Sequence, residues 1–510
     1  MSLQNNASIT PPQHADERER LANVHPATWE NPKPADSYHL VIIGAGAAGR
    51  TAAEMAATLG AKVALIEHRL IGAGRLNAGS VIPSKTIIRT SCLYAEMRDA
   101  ERYGAQIPGD IRVDFAAVME RVRRIRTHLS GDDSVRRLTA VGVDMFFGEV
   151  RFTGTDTLTV DGEKLRFKKA MIATGARADS SVIPGLTEAG YLTNENVFDL
   201  TELPRRLLVI GGGPLACELA QVFCRLGAQT TIVQDMPLFL GGEERDAAQI
   251  LSDAFARDGI EVRLNTSVIA VRVEDGQKLV DLVSDDYKYT IAVDAIFISI
   301  GRSPNVEGLN LEAAGVDYDA SAGIRVDDFL RTSNPHIYAA GDVSLKDKYT
   351  HTATASARIV VKNALFRGRE RLSALVIPWC TFTDPEIAHV GLYVREANRQ
   401  SIPIKTFTIP MHEVDRAVTE SEDGGFVKIH VRERTDKILG ATIVAHHAGD
   451  MINEITLAMV AGICLRTLAQ VIHAYPTQAE AIKKAADAYN RTRLTPRIQS
   501  RLHRWFNVTS

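Results

Sequence analysis

Apolar positions gather into a small number of strong signals along the chain. A run from Leu40 to Ile43 stops at Gly44, an alanine-rich stretch follows, and a second run, Val63–Ile66, ends on Glu67. Short continuous apolar runs bounded by glycine fit strands buried on both faces, so residues 39–67 predict strand, turn, helix, strand. The pattern returns over residues 205–235, where an apolar run to Ile210 meets Gly211 and Gly213, then a helical stretch, then a strand ending at Gln234. A shorter run, Ile337–Ala340, leads into Gly341 and Asp342. Residues 1–37 are polar and proline-containing, which predicts a largely irregular leader draped over the body. At the other end Ile498, Leu502, Trp505 and Phe506 recur at helical spacing with Arg497, Arg501 and Arg504 between them. That is a basic amphipathic helix, expected to pack on the body or on a second subunit rather than on a membrane. No run of eighteen apolar residues occurs, so no transmembrane segment is expected.

Composition narrows the class. A chain of 510 residues exceeds what one core usually supports, so two to four domains are expected. The net charge of −3 supplies no general attraction to nucleic acid. Five scattered cysteines without CxxC spacing suggest neither a disulfide framework nor a metal site, and a cytoplasmic location is the default. Cys217 and Cys224 read as packing residues on one helix, and Cys380 and Cys464 as buried structural ones.

The glycines give the two repeats their chemistry. Gly44 permits a tight turn, Gly46 lets a pyrophosphate approach the backbone, and Gly49 lets helix and strand pack closely. The helix start offers free N–H groups and the positive end of its dipole. Glu67, twenty-three residues after Gly44, is placed to accept from ribose hydroxyls. In the second repeat Gly211, Gly213 and Ala216 fill the glycine positions, and Gln234 stands where the acid would be. Glutamine can bond a ribose, and no Arg or Lys lies between Gln234 and Glu244 to hold a 2′-phosphate, so NADH is slightly favoured over NADPH. The fold class is thus α/β, with two Rossmann-like dinucleotide-binding domains.

With "IATGA" (172–176), "SIGRSPN" (299–305) and "IYAAGDV" (337–343), the chain resembles the pyridine nucleotide-disulfide oxidoreductases. The stretches "PWCTFTDPEIAHVG" (378–391) and "HAYPTQAEAIKKAADAYNRTRLTP" (473–496) resemble the dimerisation domain of the mercuric-reductase and dihydrolipoamide-dehydrogenase branch. The resemblance implies a homodimer with FAD in the first fold and NADH or NADPH in the second, which is inserted into the first. It divides the chain into the leader (1–37), an FAD domain (38–190 and 306–375), a nicotinamide domain (191–305) and an α+β dimerisation domain (376–510). Thr174, Gly175, Gly341 and Asp342 would contact FAD, and Gly301 the nicotinamide side. Lys85 and Glu218 match a pair beside the flavin and nicotinamide. Pro214 occupies the place of an aromatic lid. Tyr475 and Glu480 stand in the acid–base segment supplied by the partner subunit, with Tyr475 in the place of a histidine. His473, two residues earlier, reads as loop packing.

Family members that reduce disulfides carry C-x-x-x-x-C before [IV]-P-S-K. Here the segment reads "GAGRLNAGSVIPSK" (72–85), with Arg75 and Ser80 in the cysteine places and Val81 as an extra residue. Either Ser80 or Val81 faces the flavin, and neither carries electrons. The expected activity is therefore transfer from nicotinamide to flavin and directly to a small-molecule acceptor, without a redox-active disulfide. The alternatives are a mercuric reductase or dihydrolipoamide dehydrogenase using other thiols, a soluble transhydrogenase, and a non-catalytic flavin-binding regulatory protein.

Overall fold

A computed structural model describes residues 15–76, 81–107, 109–179, 183–285 and 287–509. The chain forms two compact units. One comprises residues 1–211, 225–230 and 267–374, and the other 212–224, 231–266 and 375–510. This division runs through the second nucleotide fold, which the sequence reading kept whole.

The first unit is built on a seven-stranded sheet. Tyr38–Ile43 lies at its centre, parallel to Val63–Glu67 on one side and to Glu163–Ile172 on the other. Val143–Phe147 extends the sheet beyond Val63–Glu67, and Ile337–Ala339 pairs in parallel with the end of Glu163–Ile172. Leu40, Val41, Ile42 and Ile43 are buried, as strands covered on both faces require. The register sets Ile43 opposite both Ile66 and Ile172, and Ala339 opposite Ile172. Gly44, Glu67, Ala173 and Ala340 therefore emerge together at the carboxyl ends of four neighbouring strands, where ligands bind in open parallel sheets. The helices Ala47–Thr58 and Thr350–Leu365 pack together over this sheet.

Part of the leader is helical. Residues Ala15–Val24 form a helix with Arg20 and Val24 buried. Thr127 Oγ1 donates to the carbonyl of Asp16 (2.9 Å), and Asn23 Nδ2 donates to Ser130 Oγ (2.8 Å). Further on, Asn31 closes a two-way bond with the backbone of Phe147, and His25 stacks on the Phe147 ring at 4.1 Å. Tertiary contacts hold a helix too short to persist alone.

The second unit contains a five-stranded antiparallel sheet in the order Pro378–Thr381, Glu386–Gly391, Ile438–Ala445, Phe426–Arg432, Ile404–Pro410. The helices Ala448–Val460 and Glu480–Thr492 cover it, burying Met451, Ile455, Ile482 and Ala485 with Ile429 and Ile443 in one core. This is the α+β domain expected at the C-terminus. In the final helix, Pro496–Thr509, Ile498, Leu502, Trp505 and Phe506 are exposed on this chain. Cys380 and Cys464 are half-buried instead of buried, whereas Cys217 is buried as expected. None of the five cysteines forms a disulfide. No described helix is long and apolar enough to cross a membrane.

Candidate active site

The turn after Tyr38–Ile43 shows why each glycine is needed. Gly44 has φ +100°, and a side chain on it would fall on the Ala173 carbonyl. A Cβ on Gly49 would fall on the Gly44 carbonyl, so strand and helix could not meet. Gly46 is the opposite case: nothing lies within 4 Å of its Cβ position. It caps the helix Ala47–Thr58 without any side-chain hydrogen bond, which leaves the helix start to an external acceptor.

Glu67 ends the second strand with its carboxylate turned back toward this turn. Oε2 accepts from the Ala45 N–H (2.8 Å) and Oε1 from the Arg69 N–H (3.0 Å). Burial pushes the carboxyl up from its ordinary range, and those N–H donors act against the shift. His25 of the leader reaches the carbonyl of Arg69 at 2.5 Å, so the leader steadies the same turn.

The third and fourth strand ends complete one edge of the crevice. Thr174 Oγ1 donates to the Asn305 carbonyl (2.7 Å), and Asn305 Nδ2 returns a bond to the Thr174 carbonyl (2.9 Å). Gly175 has φ +72° and accepts from the Asn305 N–H. Strand Ala176–Ala178 pairs with Arg302–Pro304, and Gly301 accepts from the Asp179 N–H (3.0 Å). Gly341 has φ +75° with Ala48 and Ala353 against its Cβ position, which brings the Ala340–Asp342 turn to the helix start. Asp342 pairs with Arg302 at 2.7 Å. Arg302 was quoted in its motif but given no partner by sequence reasoning; the pair joins residues 40 positions apart, and no local pattern announces it. Lys85 lies half-buried in the helix Val81–Arg98, one turn beyond exposed Val81. Arg75 belongs to the short helix Ala73–Leu76, and Ser80 lies outside the described residues.

The second unit carries the remaining predicted residues. Gly213 has open space at its Cβ position, Ala216 is fully buried, and the Cys217 N–H bonds the Gly213 carbonyl at 3.0 Å to start the helix Pro214–Arg225. The Gln234 side chain folds over Gly212, leaving no room for a Cβ there. Its Nε2 donates to the Leu238 carbonyl (3.1 Å), while Oε1 is buried with no hydrogen-bond partner among the described residues. Gly211, in the first unit, has φ +105° and sits against the Ser299 carbonyl. Glu218 is buried and accepts from the Phe382 N–H at 2.9 Å. That bond ties the helix to "TFTDPE", a link that sequence reasoning did not make.

Tyr475 is 72% exposed on this chain, and its hydroxyl donates to Asp415 at 2.7 Å. That bond raises the phenol above its ordinary value. Glu480 begins the helix Glu480–Thr492, and its Oε2 is buried with no hydrogen-bond partner among the described residues. His473 faces Glu454 at 3.1 Å, away from the Tyr475 bond. Asp384, Glu422 and His446 present ligand atoms within 4.8 Å of one another, half-buried. An imidazole beside two carboxylates is as readily an ion-pairing arrangement as a metal site.

The sequence pattern of the pyridine nucleotide-disulphide oxidoreductases matches residues 38–358, and that of their dimerisation domain matches residues 377–486. This chain belongs to that family. Its fellow members include a mercuric reductase from Staphylococcus aureus, 33% identical over 89% of this chain and 83% of the relative. A dihydrolipoyl dehydrogenase from Chlamydia muridarum is 32% identical over 88% of this chain and 96% of its own. Among solved structures, LpdA from Mycobacterium tuberculosis superposes with a TM-score of 0.80 at 29% identity, covering 88% of this chain and 99% of that one. The HOCl-induced flavoprotein disulfide reductase RclA from Escherichia coli gives 0.79 at 28% identity, with the same coverage. Pyridine nucleotide-disulphide oxidoreductases are FAD-dependent enzymes that take electrons from NAD(P)H. The first unit suits FAD: it has an uncapped helix start, open space over Gly46, and two carboxylates, Glu67 and Asp342, at the outer two of the four strand ends.

Proposed function

We propose that this protein is an NAD(P)H-dependent oxidoreductase that passes electrons to a small acceptor without a redox-active disulfide. FAD, when bound, supplies the two-electron exchange between nicotinamide and acceptor. One observation carries the reading: the first cysteine of the chain is Cys92, although both glycine-rich turns, Glu67 and Lys85 are retained. The family resemblance aligns Arg75 and Ser80 with the redox cysteines, and neither side chain can store an electron pair. Cys92 does not substitute. It lies two turns beyond Lys85 in the same helix, roughly 10 Å along the axis, with its sulfur 3.9 Å from the Arg225 guanidinium.

The residues take these roles. Gly44, Gly46, Gly49, Glu67, Thr174, Gly175, Gly341 and Asp342 hold FAD. Gly211, Gly213, Ala216, Gln234 and Gly301 hold the nicotinamide nucleotide. Lys85 places a cation where negative charge develops during reduction, and Glu218 orients it. Tyr475 and Glu480 serve the partner's site in a homodimer. The domain division is 38–190 with 306–375 for FAD, 191–305 for the nucleotide and 376–510 for dimerisation. NADH is the preferred donor: the unpaired Gln234 Oε1 is satisfied by a ribose hydroxyl, whereas a 2′-phosphate brings only acceptor oxygens. Gln234→Arg is expected to shift the NADH/NADPH ratio of kcat/KM toward NADPH by ~10-fold or more, since a charged hydrogen bond contributes roughly 1.5–3 kcal/mol. An unchanged ratio contradicts the assignment.

Anaerobic mixing with NADH, followed by a panel of quinones, dyes, oxygen and a second nicotinamide nucleotide, tests the function. The flavin is expected to bleach and recover, with turnover unaffected by thiol alkylation. Reduction of mercuric ion or oxidation of dihydrolipoamide that alkylation abolishes would establish a conventional thiol route. Failure of both nucleotides to bleach the flavin would end the proposal.

A further inference from the structure

We propose that the leader is a clasp on the FAD site, in which His25 and the buried Arg126 are positioning residues that act through the segment 69–76. The clasp rests on the reading that FAD lies at the turn after Gly44 with its ribose at Glu67. Segment 69–76 leaves Glu67 and enters the stretch that leads to Lys85. It is tied to the glycine turn by its own backbone: the Gly72 N–H donates to the Ala45 carbonyl (2.9 Å), and the Arg69 N–H donates to Glu67 (3.0 Å). The leader supplies further ties. His25 Nδ1 donates to the Arg69 carbonyl (2.5 Å), and the Ile71 N–H donates to the Val24 carbonyl (3.3 Å).

Arg126 fixes the far end of the segment. Its Nε donates to the Leu76 carbonyl (2.9 Å), and the residue is only 4% exposed. A guanidinium this deep needs a counter-charge. The leader provides one in Glu17, which lies 3.7 Å from Arg126 and also accepts from Arg20 Nε (2.8 Å). Asp199 is nearer, at 3.4 Å, but its side chain is 64% exposed against 14% for Glu17, so water weakens its hold. The leader's own anchor stands beside the site. Register sets Phe147 opposite Glu67, and the His25 ring lies flat on Phe147, 4° from parallel. The segment is thus held at residues 69, 71 and 76 by the leader and its Arg126 partner, and at 69 and 72 by the nucleotide turn. Ordering the segment before FAD arrives removes that cost from binding.

Release of FAD from the full-chain holoprotein on dilution, followed by the rise in flavin fluorescence, tests the clasp. His25→Phe keeps a ring on Phe147 and removes only the donor to Arg69, so release should quicken about fivefold, as for one lost hydrogen bond. His25→Asn loses the ring but carries Nδ2 on Cγ, as histidine carries Nδ1, and should release FAD at close to the parent's rate. Arg126→Met should quicken release about tenfold or more; should it fail to fold, the His25 pair decides alone. Thr127→Val loses the leader's bond at Asp16, which does not reach the segment, and should match the parent. Two results would overturn the clasp alone: His25→Phe at the parent's rate, or Thr127→Val as fast as His25→Phe. The first would leave packing on Phe147 as the only role of His25, and the second would leave the leader a general stabiliser. A parent chain that holds no FAD would overturn the cofactor reading and the clasp with it.

Discussion

At the scale of residues, the glycine turns and Glu67 are the part of the site that spacing makes legible. Only glycine tolerates the closeness of Gly44 to Ala173 and of Gly49 to Gly44, so the constraint is written into residue type. Polar contacts between distant residues have no such local signal. Arg302 meets Asp342, and Phe382 meets Glu218, only because separate strands and helices converge. Glu67→Ala removes the acceptor for two backbone N–H groups and, on the proposed reading, for ribose. Flavin retention should fall ~10–100-fold, at roughly 1.5–3 kcal/mol for a hydrogen bond to a charged group, measured as FAD remaining after gel filtration. Lys85→Met should slow flavin reduction on the order of 100-fold, the usual loss when a positioned charge is removed. Stopped-flow bleaching with NADH reads this directly, and an unchanged rate removes Lys85 from the mechanism.

At the scale of elements, long apolar runs announced the central strands, but packing decided the ends of the chain. The helix Ala15–Val24 is polar enough to read as irregular, and contacts such as Thr127 with Asp16 give it order. Within the second unit, a buried polar cluster links the turn before Arg245–Asp258 to the antiparallel sheet. Glu243 accepts from Tyr393 (2.6 Å) and Trp379 (3.2 Å), and Glu244 meets Lys428 (2.5 Å) and His430 (3.2 Å). Burial pushes the His389 imidazole, stacked on Tyr393 at 3.6 Å, down to about 3. Burial would raise Glu244, yet the hydrogen bonds from His430 and Lys428 hold it at about 2. Both groups bind fewer protons folded than unfolded. Stability is therefore complete above pH ~6.5, falls as pH drops toward 3 through His389, and falls further below pH ~4.5 through Glu244. His389→Gln should flatten the decline of melting temperature between pH ~6.5 and ~4.5; a profile identical to the parent's would contradict the assignment.

At the scale of the whole molecule, the family and its fold were legible because ordered motifs span most of the chain. The division into compact units was not, because it cuts through the second nucleotide fold between Gly211 and Gly212. The segment 72–85 holds the central claim: it contains no cysteine, and on the proposed reading Arg75 and Ser80 stand in the places of the redox pair. A disulfide beside the flavin would add a second two-electron acceptor to each subunit. Anaerobic titration with dithionite counts those acceptors. The account predicts full bleaching at two electrons per FAD, with the same end point after thiol alkylation; four electrons per FAD would contradict it.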